Sequence, residues 1–268
     1  MFDPDQAATL LAEARRARQL RTPLAVPPPT LADGIAAQVA RARAAGAVPP
    51  PGFKIGATNP AMQAYLGLPG PAASFMAAAD LHGDGSTLAY RDFLRPGVEC
   101  EIAVHLGADL PPGPCTPDQA AAAVDGVMAG IEVVENRYPD MPAFGTPALV
   151  ADGVYHAAAV LGMPVPGWRG LDLPALPGTI LVDGAVRGEG PGAVLAGGPM
   201  QALAWLAASA EAAAHGGLRA GQVVMLGSVC LPVWLGRPGP YRGPLPAAAP
   251  GDADPGLTSP SPSGIGLG

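Results

Sequence analysis

The sequence predicts an α+β fold with a helical segment at its N-terminus. Three observations carry that expectation. Two stretches before residue 51 read as capped helices bounded by prolines; apolar or β-branched runs at 98–106, 130–135 and 222–226 read as strands; and Asp183-Gly184 sits between two short runs as a tight hairpin turn.

In chain order, 3–21 predicts a helix, with Asp5 near its start and Arg15, Arg16, Arg18 and Arg21 toward the end, where cations suit the dipole. Pro23 to Pro29 breaks the chain. Thr30 with Asp33 then resembles a capping box for a helix to about Ala45, with Ile35, Val39 and Ala42 along one stripe. Pro49-Pro50-Pro51 ends this segment. Phe53–Gly56 is a short strand, followed by a turn at Thr58-Asn59-Pro60 and a helix from Ala61 to about Leu66. Strand character returns around Ser86–Tyr90 and firmly at Val98–Leu106. Thr116 caps a helix with Pro117 at its first position, running to Met128, before a strand at 130–135. The stretch 148–161 is apolar around Asp152 and His156 and reads equally as helix or strand. A hairpin over 179–187, a long helix from Gly198-Pro199 to about His215, and a buried strand at 222–226 follow. From Arg237 onward Pro, Gly, Ala and Ser dominate, which predicts a disordered tail at 237–268. The expected organisation is therefore an N-terminal helical segment (1–51), a main domain (52–236) and that tail.

Bulk properties exclude several classes. A chain of 268 residues is long enough for a sizeable core. No unbroken apolar run approaches the ~20 residues of a membrane span, and the acidic Met-Phe-Asp-Pro-Asp start lacks a signal-peptide pattern, so a cytoplasmic protein is expected. A net charge of −7 without a basic cluster argues against nucleic acid as a partner. The three cysteines are odd in number and widely spaced, and the four histidines form no ligand-spaced pair.

Glu99 and Glu101 interrupt the apolar run 97–106 two positions apart. On a strand they project to the same face, where two carboxylates repel and resist desolvation. A hard cation such as Mg²⁺ would neutralise both. The alternative is an ordinary half-exposed strand with a solvated acidic face. On 130–135, Glu132 and Val134 share one face. Lys54 is the single lysine beside fourteen arginines; a position retaining lysine points to a need for a compact ammonium whose pKa can shift on burial, or to chance survival on the surface.

Residues 52–228 resemble the 2-keto-4-pentenoate hydratase branch of the fumarylacetoacetate hydrolase superfamily. The matching pieces are Phe53-Lys-Ile-Gly-Ala-Thr58, Gly97-Val-Glu-Cys-Glu-Ile-Ala103, Gly130-Ile-Glu-Val-Val-Glu-Asn-Arg-Tyr138, Val150-Ala-Asp152, Val182-Asp-Gly184, Leu203-Ala-Trp-Leu206, Leu218-Arg-Ala-Gly221 and Leu226-Gly-Ser228. The resemblance implies a mixed β-roll with outer helices, and Mg²⁺ or Mn²⁺ held by Glu99, Glu101 and Glu132. Three carboxylates leave coordination positions that a 2-oxo acid can fill through its carboxylate and keto oxygens. By the same resemblance Lys54 belongs to the site, binding the substrate carboxylate or relaying a proton, and Asp80 is an acid/base candidate. Asp152 lies in a family motif without an evident role, and Arg137 is a weaker candidate for a substrate carboxylate.

The implied activity is hydration of a 2-hydroxy-2,4-dienoate to a 4-hydroxy-2-oxo acid in aromatic meta-cleavage catabolism, by a homo-oligomer that could also associate with a decarboxylase or hydratase partner. A 4-oxalocrotonate-type decarboxylase would share the same motifs. Hydrolytic C–C cleavage requires a His–Glu pair that the sequence does not locate, and an inactive partner subunit would keep the fold. The sequence departs from the family at Gly153, often acidic or amide in relatives, and at its end, where Ala249-Pro-Gly-Asp252 and Gly264–Gly268 survive without strand-forming sequence between them.

Overall fold

Side-chain caps start both N-terminal helices. In α1 (Pro4–Arg16) Asp3 accepts from the amides of Asp5 and Gln6, and in α2 (Leu31–Ala44) Thr30 accepts from that of Asp33. Helix α1 ends five residues before Arg21, and Arg18 adopts φ 50° just beyond it. Arg15 and Arg21 do not simply complement the dipole; both reach Asp152. The buried residues of α2 are Gly34, Ala37, Gln38, Ala40, Arg41 and Ala42, with Ile35 and Val39 only partly covered. Small residues there let α2 lie close to its neighbours. The structure, a computed structural model, describes residues 1–195 and 197–236; the tail expected at 237–268 lies outside the described residues.

The elements that follow are β1 (Gly52–Gly56), α3 (Pro60–Leu66), β2 (Ala72–Met76), β3 (Leu81–His82), β4 (Pro96–Leu106), α4 (Pro117–Ala123), β5 (Val124–Glu135), α5 (Thr146–Ala151), β6 (His156–Leu161), β7 (Pro177–Val182), β8 (Ala185–Pro191), α6 (Pro199–Ala208), α7 (Ala210–Ala214), β9 (Val223–Ser228) and β10 (Val233–Trp234). An eight-stranded sheet runs β2-β1-β9-β4-β5-β6-β3, with β10 beside the start of β4, and β7-β8 forms a separate hairpin. The sheet is mixed: β1/β9 and β3/β6 are parallel and the remaining pairs antiparallel.

Three expectations are corrected and one open reading is resolved. Ser86–Tyr90 is not a strand, whereas Ala72–Met76, read as no element, forms β2; it is buried throughout and so shows no alternation. The helix from Thr116 stops at Ala123, and β5 starts six residues before the expected strand at 130–135, because 124–129 pairs with the second half of β4. The ambiguous stretch at 148–161 divides into α5 and β6. The helix from Pro199 breaks at Ser209, whose hydroxyl accepts from the Ala212 amide and starts α7.

One sheet face carries Phe53, Ile55, Ile102, Val104, Val224 and Leu226, clustered with Leu203 and Leu206 of α6. Fully burying a side chain of this size contributes about 1.5–3 kcal/mol. The opposite face carries a smaller cluster of Met76, Ala103, Met128, Ala159 and Met225. It continues into the polar groups described next. Among the described residues no helix is long and apolar enough to cross a membrane.

Candidate metal centre

Strand register places the charged groups on this second face. Lys54 on β1 is paired with Met225 on β9, Met225 with Ala103 on β4, and two and four residues before Ala103 stand Glu101 and Glu99. Glu99 is in turn paired with Glu132 on β5. Laterally paired residues share a face and i, i+2 residues do too. Lys54, Glu99, Glu101 and Glu132 therefore converge from three strands.

One carboxylate oxygen from each of Glu99, Glu101 and Glu132 lies within 4.8 Å of the others. The solvated-face alternative does not hold, since Glu101 and Glu132 are 2% and 0% exposed. Burial, then Glu132 and Glu99, push the Glu101 carboxyl well above its ordinary range, against the opposing Gly227 amide. Burial and Glu132 push Glu99 up to about 8, partly offset by Lys54. Burial disfavours the Glu132 anion too, yet Lys54 and His156 win and hold its carboxyl below the ordinary value. Glu101 Oε1 and Glu132 Oε2 are buried without a hydrogen-bond partner. An all-oxygen donor set with orphaned, mutually repelling carboxylates fits a hard divalent cation.

Two β-bulges aim the supporting groups. Between β4 and β9 the register shifts from Glu101↔Ser228 to Ala103↔Met225, and in the extra space Gly227 donates its amide to Glu101 Oε2 at 2.9 Å. Gly227 has φ 107°, and a Cβ there would stand 2.4 Å from Thr58 Cγ2, so glycine is required. Between β5 and β6 the register shifts from Val133↔Ala158 to Val134↔His156. The extra residue, Ala157, turns His156 onto the face of Glu132.

There His156 Nδ1 lies 2.8 Å from Glu132 Oε1; an ionised carboxylate can only accept, so Nδ1 carries the proton. His156 Nε2 is buried without a hydrogen-bond partner, 3.8 Å from Asp80 Oδ2. Asp80 also accepts from the Ala77 amide, which fixes its turn. Lys54 Nζ is 3.4 Å from Glu132 Oε1 and donates to the Val154 carbonyl at 2.5 Å. The sequence assigned no role to His156, because simple alternation along 156–161 would point it away from Glu132. A histidine and a glutamate are thus paired here, on a glutamate that also belongs to the carboxylate cluster. His105, on the same parity as the glutamates, stands at the far end of β4 against Asp125 at 2.6 Å.

Val154 and His156 belong to a segment with left-handed backbone at three successive residues: Gly153 (φ 85°), Val154 (φ 51°) and Tyr155 (φ 66°). For the two non-glycine residues this costs on the order of 1–3 kcal/mol each. Asp152, immediately before, is fully buried among cations. Arg21 donates to it at 2.5 and 3.0 Å and Arg137 at 3.0 Å, while Arg15 stands 3.4 Å away and the Tyr138 hydroxyl donates at 3.2 Å. Burial opposes the Asp152 anion, but Arg137, Arg21 and Arg15 hold its carboxyl well below the usual range. Arg137, weighed as a substrate contact, is 1% exposed and bonded to Asp152 and Glu135 instead. Glu135 is buried as the last residue of β5, its carboxylate held by Arg137 and the Leu94 amide.

The curled mixed sheet with an acidic cluster at its centre defines a class, and the chain belongs to the fumarylacetoacetate hydrolase family: the model of the fumarylacetoacetate (FAA) hydrolase C-terminal domain matches residues 56–253. A 2-keto-4-pentenoate hydratase of Burkholderia vietnamiensis is 37% identical over 180 residues, 66% of this chain and 67% of that one. A 2-keto-4-pentenoate hydratase of Paraburkholderia phymatum is 34% identical over 231 residues, covering 84% and 87%. The structure of 4-oxalocrotonate decarboxylase from Pseudomonas putida G7, complexed with magnesium and adipate, superposes with a TM-score of 0.77 over 87% of this chain and 89% of that one, at 25% identity.

Proposed function

We propose that this protein is a metal-dependent hydratase that adds water to a 2-hydroxy-2,4-dienoate, giving a 4-hydroxy-2-oxo acid. The observation that carries the proposal is the cluster Glu99–Glu101–Glu132, with two orphaned carboxylate oxygens and a buried ammonium beside it. The hydratase names of relatives at 37% and 34% identity supply the reaction class.

In this reading Glu99, Glu101 and Glu132 hold Mg²⁺ or Mn²⁺, which when bound supplies Lewis acidity toward the carboxylate and keto oxygens of a 2-oxo acid. Lys54 binds the substrate carboxylate or carries a proton, from a pocket where Val154 O and Glu132 fix its ammonium. His156 orients Glu132 through Nδ1. Asp80, next to His156 Nε2, is placed to handle the proton of the incoming water. The reaction balances as protonation of the dienol at C5 with loss of the enol proton, then addition of hydroxide at C4 and a proton at C3.

A decarboxylase reading is favoured by one observation, the likeness to 4-oxalocrotonate decarboxylase. The experiment offers purified protein 2-hydroxypenta-2,4-dienoate and 4-oxalocrotonate separately, with Mg²⁺ or Mn²⁺, and follows dienol loss and CO₂. Hydration predicts metal-dependent loss of the first without CO₂; CO₂ from the second with no turnover of the first establishes the decarboxylase. We further propose residues 52–236 as the catalytic domain with 1–51 as its helical flank, a cytoplasmic location, and assembly as a homo-oligomer, which sedimentation checks.

A further inference from the structure

The strained segment after Asp152 supplies two contacts to the site, Val154 O to Lys54 and the His156 imidazole to Glu132. A conformation that costs energy persists only where its surroundings fix it. Here the fixing groups come largely from the N-terminal helical segment, before residue 52. Arg15, in α1, donates through Nη2 to the carbonyls of both Asp152 (2.7 Å) and His156 (2.9 Å), and so spans the segment from end to end. Arg21 binds both oxygens of the Asp152 carboxylate and ties back to α1 through the Leu11 carbonyl at 3.0 Å. From α2, Arg41 holds the Ala151 carbonyl at 2.9 Å. Arg137 adds a bond to His156 O at 3.2 Å from the sheet side. Gly153 is packed against this cluster: a Cβ there would meet Ser74 Oγ at 2.9 Å and Arg41 Nη1 at 3.1 Å.

We infer that Arg15 and Arg21 of the N-terminal segment are positioning residues for the candidate site, clamping the two ends of the strained segment 153–155 so that Val154 O meets Lys54 and His156 meets Glu132. This rests on the proposed function for its catalytic readout, but not for its structural one. Four arginines, Arg15, Arg21, Arg41 and Arg137, face two carboxylates, Asp152 and Glu135, in this cluster. A formal excess of cations in a buried cluster is more than Asp152 needs for neutralisation, whereas carbonyl bonds to both ends of the segment account for the additional donors. Arg15 is the informative position, because its side chain is 22% exposed and its loss opens the clamp at the surface.

The test compares wild type, Arg15→Ala, Arg15→Lys and, as a control, Arg43→Ala, which removes only the exposed Arg43–Asp5 pair at 3.8 Å. Hydrogen exchange of the amides at 153–158 is measured first. It should accelerate in both Arg15 variants and not in Arg43→Ala. In the dienoate assay kcat should fall about 10- to 100-fold in Arg15→Ala, as expected for misplacement of a supporting contact, and added guanidinium should restore part of it. Arg15→Lys should not recover the rate, since a single ammonium on a shorter stem cannot stand both where Nε faces the Asp152 carboxylate and where Nη2 reaches the two carbonyls; it also keeps the charge should the alanine variant fold poorly. Unchanged exchange at 153–158, or a loss of thermal stability with unaltered kcat and KM in the folded variants, overturns the inference. Wild-type protein that turns over no dienoate overturns the proposed function instead, and the exchange result still decides the clamp.

Discussion

Glu99 and Glu132 stand directly opposite one another on neighbouring antiparallel strands, and Glu101 lies two residues along on the same face. Like charges placed across a ladder destabilise the pair by a few tenths to about 1 kcal/mol, and burial magnifies the conflict. Replacing one of them should therefore separate stability from function. Glu101→Gln is expected to raise the thermal stability of the metal-free protein by on the order of 1 kcal/mol, while abolishing metal-dependent turnover. Thermal melts in EDTA, paired with the dienoate assay, check both halves; a stable variant with full activity removes Glu101 from the site.

The same electrostatics predict a pH dependence of cation binding. Glu99, with its carboxyl pushed up to about 8, and Glu101, held well above its ordinary range by burial and its two glutamate neighbours, bind protons in the folded metal-free protein that the unfolded chain has released. Their folded pKa lies above the unfolded value of about 4.3, so stability is lost as pH rises from there toward 8. A cation displaces those protons. The increase in Tm produced by Mn²⁺ should consequently grow between pH 5 and pH 8, with proton release measurable by calorimetry in buffers of different ionisation enthalpy. A Tm increment independent of pH contradicts this.

Lys54 cannot be exchanged for arginine without loss. Its Nζ is enclosed by Val154 O at 2.5 Å and Glu132 Oε1 at 3.4 Å, and a Cβ on Gly56 would stand only 3.1 Å from it. A guanidinium does not fit that space. Lys54→Met leaves Glu132 as a buried anion short of a partner, at a cost of about 3–5 kcal/mol. Denaturant unfolding should show that loss in metal-free protein, with Mn²⁺ recovering part of it, and kcat should fall in both variants.

His156→Ala removes the group that orients Glu132. Loss of such an outer partner typically weakens metal affinity about 10- to 100-fold, which Mn²⁺ titration by electron paramagnetic resonance can measure. Affinity equal to wild type would show that Glu132 needs no help from His156.

Acid should unlock the arginine cluster. The Asp152 carboxyl is held well below its ordinary value, so its contribution is complete above the unfolded pKa near 3.9 and is lost as pH falls through the lower folded one. Asp152→Asn should cost about 3–5 kcal/mol near neutrality and remove the corresponding acid-dependent loss of stability below about pH 4. Urea melts of the two proteins from pH 2 to 7 test this, parallel pH curves being the contrary result.

Much of the site was legible because its residues obey strand parity. Glu99 and Glu101 differ from Glu132 only in strand, and the β-branched run at 130–135 announced that strand. Caps at Thr30 and Thr116 were equally local signals, and both side chains accept the expected amides. What the sequence concealed depended on tertiary pairing. The bulge at Ala157 that turns His156 inward follows from how β6 lies on β5, and 124–129 is alanine-, glycine- and methionine-containing sequence made a strand by β4. Asp152 is the sharpest instance. It looked like a motif residue without a role, because its partners Arg15 and Arg21 lie more than a hundred positions away and resembled ordinary helix-end cations.

Cation occupancy of Glu99, Glu101 and Glu132 is expected to turn on hydration. This is tested most directly by following 2-hydroxypenta-2,4-dienoate turnover as Mn²⁺ is titrated into EDTA-stripped protein, with bound Mn²⁺ counted in the same samples. Turnover should rise in proportion to bound Mn²⁺ up to one ion per chain, with neither binding nor turnover in Glu132→Gln. Turnover in stripped protein, or full Mn²⁺ occupancy without turnover of the dienoate, would contradict it.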